Sequence, residues 1–307
     1  MNSELLILTA PPASGKTYLI SSLITQFEQP LLFISPLRAL ANECLAKWGE
    51  SCLVMTPEEW LNKGKSARVV ILDEFHLYFY WGNSFRPNMW EAFYELVQET
   101  ELVIFMTATL TEEMKEEIKT YSCHFDQMTW VDHGNQRLKN RPHRYYKASS
   151  ASWIETYLLN HSLASSPGVN LVFCAYRSEV LKWEKLLKEQ GFSVWTCVGG
   201  EASAFSLKVQ KESPPQFIVA TTVLSHGVNL PNISRIFFLY EVGNLDFWIQ
   251  MVARGGRKGE SFEVFALENP VGIKWSKLFN SLAIARLSLK MKLHHLMKQI
   301  EEWFLKA

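Results

Sequence analysis

Short, uninterrupted apolar runs, each followed by a longer amphipathic stretch, recur along this chain and restrict its fold more than any other feature. Leu5–Ala10, Leu31–Ser35, Val69–Leu72 and Leu102–Met106 are such runs, and further on come Val169–Cys174, Phe217–Thr221, Ile236–Tyr240 and Phe262–Ala266. A strand with one wet face alternates apolar and polar residues. Runs that are apolar throughout are buried on both faces, as in a parallel sheet covered by helices on each side. The chain has 307 residues. A single core stops growing at about 250–300 residues, so two lobes are expected. Hydrophobic residues make up 48% and charged residues 20%, a globular balance able to fill two cores. The polar stretch Asp132–His143 holds Gly134, Asn135 and Pro142 and is the expected connector. The expected division is therefore 1–140, 141–270 and a tail at 271–307.

Charge excludes one class of explanation. Lysine plus arginine equals aspartate plus glutamate, 31 each, so any surface for a polyanion must be local. The five cysteines, Cys44, Cys52, Cys123, Cys174 and Cys197, are odd in number and lack metal-ligand spacing. A reduced, cytoplasmic setting is expected. The apolar run near the N-terminus is too short for a signal peptide or a membrane span, and no membrane partner is expected.

Two segments carry chemistry. Ala10-Pro11-Pro12-Ala13-Ser14-Gly15-Lys16-Thr17 follows an apolar run and opens a helical pattern. Such a loop points backbone N–H groups at phosphates, and the helix N-terminus adds partial positive charge. Pro12, Ala13, Ser14 and Gly15 would line the phosphates and Lys16 would reach the β- and γ-oxygens. The Thr17 hydroxyl would bind Mg²⁺. In the second segment, Val69–Leu72 ends in Asp73-Glu74-Phe75-His76. Ligands of open α/β sheets lie at the carboxyl ends of strands. Asp73 would hold Mg²⁺ through its water shell, and Glu74, a metal residue together with Thr17 and Asp73, would accept a proton from, or orient, the attacking water.

Together these segments resemble a superfamily 2 helicase of the DExH-box kind. Ser35-Pro36-Leu37-Arg38-Ala39-Leu40 resembles motif Ia, Thr56-Pro57-Glu58 motif Ib and Thr107-Ala108-Thr109 motif III. Ala220–Pro231, with Ser225, Gly227 and Asn229, resembles motif V, and Gln250–Arg257 resembles motif VI. Gly227-Val228-Asn229-Leu230-Pro231 and Gln250-Met251 look most like the Ski-like branch. The resemblance covers nearly the whole chain and implies two tandem RecA-like parallel-sheet domains, here followed by a short helical tail.

It also implies roles. ATP and Mg²⁺ are the cofactors, with Gly227 and Asn229 beside the nucleotide. Few residues precede the phosphate loop, leaving no room for the glutamine motif by which relatives read adenine, so other NTPs are expected to serve. Arg257 would be the arginine finger, Arg254 its partner and Gln250 their neighbour. Three residues apart, the arginines would share a face if they lie on a helix. Strand contacts would come from Pro36, Arg38, Thr56, Tyr176, Arg177 and Thr222, a set suited to phosphates and blind to sequence. His76, Thr107 and Thr109 would couple the sites, and Thr-Ala-Thr would also serve as an N-cap, with Glu112 and Glu113 in the first turn. The partner is single-stranded or tailed nucleic acid, DNA and RNA both open. The implied activity is NTP-driven movement on a strand, 3′→5′. The alternative is an ATPase or remodelling subunit that needs a protein partner. The aromatic run Tyr78–Trp81 suits core packing, with base stacking as the other reading. The tail, with Lys274, Lys277, Arg286, Lys290, Lys292, Lys298 and Lys306, either caps the second lobe or contacts a strand.

Overall fold

The computed structural model describes residues 3–25, 31–64, 67–148, 150–160 and 168–267. The expected tail at 271–307 lies outside them. Apart from residues 37–43, which group with the second unit, the described residues up to 139 form one compact unit and those from 140 a second.

The first lobe is a parallel sheet of six strands. In chain order they are β1 (Glu4–Thr9), β2 (Leu31–Ile34), β3 (Cys52–Met55), β4 (Val69–Leu72), β5 (Leu102–Thr107) and β6 (Gln127–Asp132). Across the sheet the order is β3-β2-β4-β5-β1-β6. Every neighbouring pair is parallel. Residues of β4 and β5 are buried throughout, as their unbroken apolar sequences require. The helices follow from local chemistry. In α3 (Pro57–Lys63), Thr56 and Glu59 form a capping box, Pro57 occupies the first turn, and Gly64 closes the helix with φ 57°. In α4 (Asn88–Glu99) the buried residues Met89, Ala92, Phe93, Leu96 and Val97 form one stripe. Phe75 stacks on Phe105 with centroids 3.6 Å apart, and Phe93 and Trp90 pack edge-on to it. Tyr78 and Phe79 of the aromatic run are buried in this cluster. The packing reading therefore holds for these two.

The second lobe repeats the plan. Its strands are β7 (Arg144–Lys147), β8 (Val169–Phe173), β9 (Val194–Cys197), β10 (Phe217–Ala220), β11 (Ile233–Phe238) and β12 (Glu263–Ala266). The order is β7-β12-β11-β8-β10-β9, again all parallel. Val172, Val219, Phe237 and Phe265 form its centre, covered by Ile154, Leu158, Val180, Trp183 and Leu187 from helices α6 (Ala151–Asn160) and α7 (Arg177–Glu189). The two sheets are the tandem RecA-like arrangement. Among the described residues no helix is long and apolar enough to cross a membrane.

Candidate NTP site and strand-binding residues

In the first lobe the sheet order itself assembles the site. β1 lies beside β5, and β5 beside β4, with Thr9 opposite Thr107 and Leu72 opposite Phe105. The Ala10–Thr17 loop, the acidic pair and the Thr-Ala-Thr segment therefore leave the carboxyl ends of adjacent interior strands. The loop feeds helix α1 (Lys16–Ile24), whose N-cap Gly15 has φ 107°. A Cβ there would meet nothing within 4 Å, so the backbone conformation, not space, calls for glycine. Ala13 also sits in the left-handed region, at φ 58°. Pro12 is buried. Lys16 Nζ donates to Ala10 O (3.0 Å) and Pro11 O (3.3 Å). The Ser14 hydroxyl is buried with no hydrogen-bond partner among the described residues. A loop whose buried hydroxyl lacks an acceptor and whose lysine rests on its own carbonyls fits an anion with several oxygens. Thr17 is partly exposed in the first helical turn, where its hydroxyl would be available to a metal.

Asp73 is only 4% exposed. Burial, with the neighbouring Glu74 charge, pushes its carboxyl up to about 7 against the opposing pull of Lys16. A second cation beside it would relieve that cost, which is the electrostatic fit for a divalent metal. Glu74 has φ 47°, a strained backbone for a non-glycine residue. His76 is 1% exposed, and burial followed by the Lys16 charge pulls its pKa down to about 3, so the ring is neutral. Its Nδ1 lies 2.8 Å from Thr107 Oγ1 and 3.4 Å from Glu74 Oε2. Thr107 gives its hydroxyl proton to Thr109 O at 3.2 Å, which leaves His76 Nδ1–H as the donor to Thr107. The three expected coupling residues are thus joined by contacts, through the Thr109 backbone. The helical part of the expectation differs. Helix α5 (Glu112–Thr120) is capped by Thr111, whose side chain accepts from Met114 N, and not by the Thr-Ala-Thr triplet. Thr107 ends a strand, so it lies before any helical start.

In the second lobe the condition for a shared helical face is not met. Helix α9 (Leu245–Val252) stops before both arginines, and Arg254 and Arg257 lie in turns around Gly255-Gly256. Gly256 has φ 63°, which a helix cannot continue through. Arg254 is 2% exposed and donates through Nε to Ser225 O (3.1 Å) and through Nη1 to Val228 O. It braces the loop that carries Gly227, where φ is 73°, and the exposed Asn229. Arg257 is partly exposed, with Nε on Ala253 O at 3.3 Å. Gln250 is buried, and its Nε2 has no hydrogen-bond partner among the described residues.

The expected strand-binding residues fall into two groups. Arg38, Tyr176, Arg177 and Thr222 are exposed, Tyr176 by 68%. Arg177 also reaches Gly199 O. Thr56 and Pro36 are buried, and the Thr56 hydroxyl accepts from Glu59 N as a helix cap. Their side chains support the loops and do not present themselves to a strand. Arg86 was not visible as a functional residue in the sequence. It donates to Pro36 O at 2.6 Å, pairs with Glu58 through Nε and Nη2 at 2.8 and 2.7 Å, and lies 5.6 Å from the Trp81 ring centroid. One guanidinium thus fixes the segments resembling motifs Ia and Ib to an aromatic pair, Trp81 and the 67% exposed Phe85.

The Ala10–Thr17 loop and the Asp73-Glu74 pair leave the carboxyl ends of neighbouring strands of one parallel sheet, and a second parallel sheet follows, the two-sheet plan of RecA-like proteins. Residues 47–117 match the DEAD/DEAH box helicase family, and residues 153–259 match the helicase conserved C-terminal domain. One match falls within the first lobe and the other within the second, so each lobe is similar to a helicase domain over part of its length. Among curated relatives, the ATP-dependent DNA helicase RecQ of Bacillus subtilis is 24% identical over 221 residues, 69% of this chain and 36% of that protein. The ATP-dependent RNA helicase dbp3 of Emericella nidulans is 28% identical over 105 residues, 33% of this chain and 22% of that protein. The chain therefore spans little more than a third of the length of the first and under a quarter of the second. Solved structures share the fold. S. cerevisiae Dbp5 bound to RNA and ADP BeF3 has a TM-score of 0.67 at 14% identity, covering 95% of this chain and 83% of that one. Mycobacterium smegmatis Lhr bound to ssDNA and AMP-PNP has a TM-score of 0.61 at 17% identity, covering 85% of this chain and 43% of that one.

Proposed function

We propose that this chain hydrolyses NTP, ATP foremost, and uses the cycle to move along or remodel a single nucleic-acid strand. The observation that carries the reading is the placement of Lys16, Asp73, Glu74 and the His76–Thr107 contact at the carboxyl ends of the neighbouring strands β1, β4 and β5. Bound Mg²⁺–NTP supplies the phosphoanhydride whose cleavage drives the cycle. Lys16 would exchange its two carbonyl acceptors for phosphate oxygens. Thr17 and Asp73 would hold the metal, and Glu74 would orient the attacking water. Arg257 would offset the charge that develops on the transferred phosphoryl group, with Gln250 nearby. Arg254 would act mainly through the Ser225–Val228 backbone that it braces.

Arg38, Tyr176, Arg177 and Thr222 would meet the strand, and Trp81 with Phe85 would offer rings on which bases stack. Phosphate contacts of this kind position a strand without reading it. The finer reading of a DExH enzyme moving 3′→5′ rests on Asp73-Glu74-Phe75-His76, and the Ski-like branch on Gly227–Pro231. Tailed duplexes of both polarities test the direction. The test of the function is NTP turnover with ATP, GTP or CTP, in the presence of single-stranded DNA, single-stranded RNA or duplex, at two salt concentrations. A single strand should stimulate turnover, and stimulation should weaken as salt rises, because phosphate contacts release counterions. No turnover with any strand would end the reading.

A further inference from the structure

The connector between the two lobes is fastened, on each side, to the loop that the NTPase reading makes catalytic in that lobe. Lys139 Nζ donates to Ala13 O at 2.8 Å, within the phosphate loop. Its neighbour in the chain, Asn140, donates through Nδ2 to Gly256 O, in the turn between Arg254 and Arg257. We propose that Lys139 and Asn140 are positioning residues of the NTPase cycle. Lys139 holds the phosphate loop in shape, and Asn140 holds the arginine turn in shape.

The start of the connector is tied down as firmly. Asp132 Oδ1 accepts from Thr9 Oγ1 at 2.9 Å and from the N–H groups of Gly134 and Asn135 at 2.8 Å each. The Asn135 amide bridges Leu110 in both directions, accepting from its N–H at 2.7 Å and donating to its carbonyl at 2.8 Å. Gln136 N–H donates to Ala108 O at 3.0 Å. The connector therefore starts from a rigid footing on the Thr-Ala-Thr segment before it reaches the phosphate loop.

Backbone strain marks the same places. Among the described residues, Ala13, Glu74 and Gln136 are the non-glycine residues with positive φ, at 58°, 47° and 53°. One lies in the phosphate loop, one in the acidic motif and one in the connector. A strained peptide persists only where its surroundings over-determine it. The Lys139–Ala13 bond supplies part of that constraint. It fixes the plane of the peptide leading to Ser14, whose buried hydroxyl has no partner among the described residues. A charged donor on a carbonyl is roughly twice as strong as a neutral one, so the lysine is suited to this task. Asn140 does the equivalent for a turn whose Gly256 has φ 63°.

The inference rests on the NTPase reading, and the experiment separates the two. The full chain is compared with Lys139→Met, Lys139→Arg and Asn140→Ala. A fluorescent ADP analogue gives affinity by anisotropy, steady-state assays give kcat and KM, and thermal melting reports integrity. Lys139→Met should weaken analogue binding and raise KM, each by about tenfold, with kcat nearly unchanged, and Lys139→Arg should restore both. Asn140→Ala should lower kcat by about tenfold while leaving analogue affinity nearly unchanged. Unchanged affinity and kinetics in the two disruptive variants would overturn the inference while the NTPase reading stands. So would a loss of all parameters together with a large fall in melting temperature, since that marks a general structural role. A parent chain that neither binds the analogue nor turns over NTP would overturn the NTPase reading and this inference together.

Discussion

His76 Nδ1 lies 2.8 Å from Thr107 Oγ1, so the acidic strand end and the Thr-Ala-Thr segment are joined by a buried hydrogen bond. Because the ring is neutral, this bond keeps its donor across the physiological pH range. Thr107→Val keeps the shape and removes the acceptor. Stranding a buried donor costs about 1–3 kcal/mol, so melting temperature should fall measurably. Strand-stimulated turnover should fall more than unstimulated turnover, if the bond couples the two activities. An equal fall in both rates would remove the coupling role and leave a packing one.

Glu74→Gln is the sharpest test of the water-positioning assignment. Glutamine matches glutamate in size and tolerates the same backbone, which here has φ 47°. The substitution keeps the shape and removes the negative charge together with the capacity to accept a proton. Turnover should fall by about 10²-fold or more, while nucleotide affinity stays close to that of the parent. Retained hydrolysis would move the role to another group.

The Glu58–Arg86 pair gives a pH signature. Burial works against the Glu58 carboxylate, but the Arg86 hydrogen bonds and charge, with smaller help from Thr56, outweigh it and hold the pKa below the ordinary 4.5. A carboxylate whose pKa is depressed in the folded state adds stability above its unfolded value and loses it as pH falls through its folded value. The melting-temperature gap between the parent and Glu58→Gln should therefore be full at pH 7 and shrink below pH 4.5. A gap that stays constant down to the acid limit would show that the pair contributes shape and not charge.

How much of this was legible follows from where each strand sits. The apolar runs read from the sequence became β1, β2, β4, β5, β8, β10, β11 and β12. The strands that went unread are β3, β6, β7 and β9, and they are the edges of the two sheets. An edge strand is covered less completely, so it need not be apolar throughout. β7 reads Arg-Tyr-Tyr-Lys and β6 Gln-Met-Thr-Trp-Val-Asp, neither with a buried residue. That the Ala10–Thr17 loop and the Asp73-Glu74 pair follow strands was legible, because each comes directly after an unbroken apolar run. The Arg86 and Lys139 contacts join residues 50 and 126 positions apart, and no local pattern announces such pairs. Spacing alone left the conformation of the arginine segment open, because it cannot tell a helical face from a turn when two glycines intervene.

Gly255 tests how tightly that turn is built. A Cβ added there would lie 2.2 Å from Phe262 Cδ2 and 2.6 Å from its Cε2 and Cγ. Phe262 is 1% exposed, so its ring has no open space to move into. Gly255 has no positive φ, so the demand for glycine is steric and not conformational. Overpacking of this kind costs about 1–3 kcal/mol and shifts the backbone that carries it. Here that backbone carries Arg254 and Arg257. Gly255→Ala should lower both melting temperature and kcat, and adding Phe262→Leu should recover part of each, because the leucine vacates the space of the ring. A double-mutant cycle reads the interaction directly. Additive losses in the cycle would show that the ring is not what fixes the arginine turn.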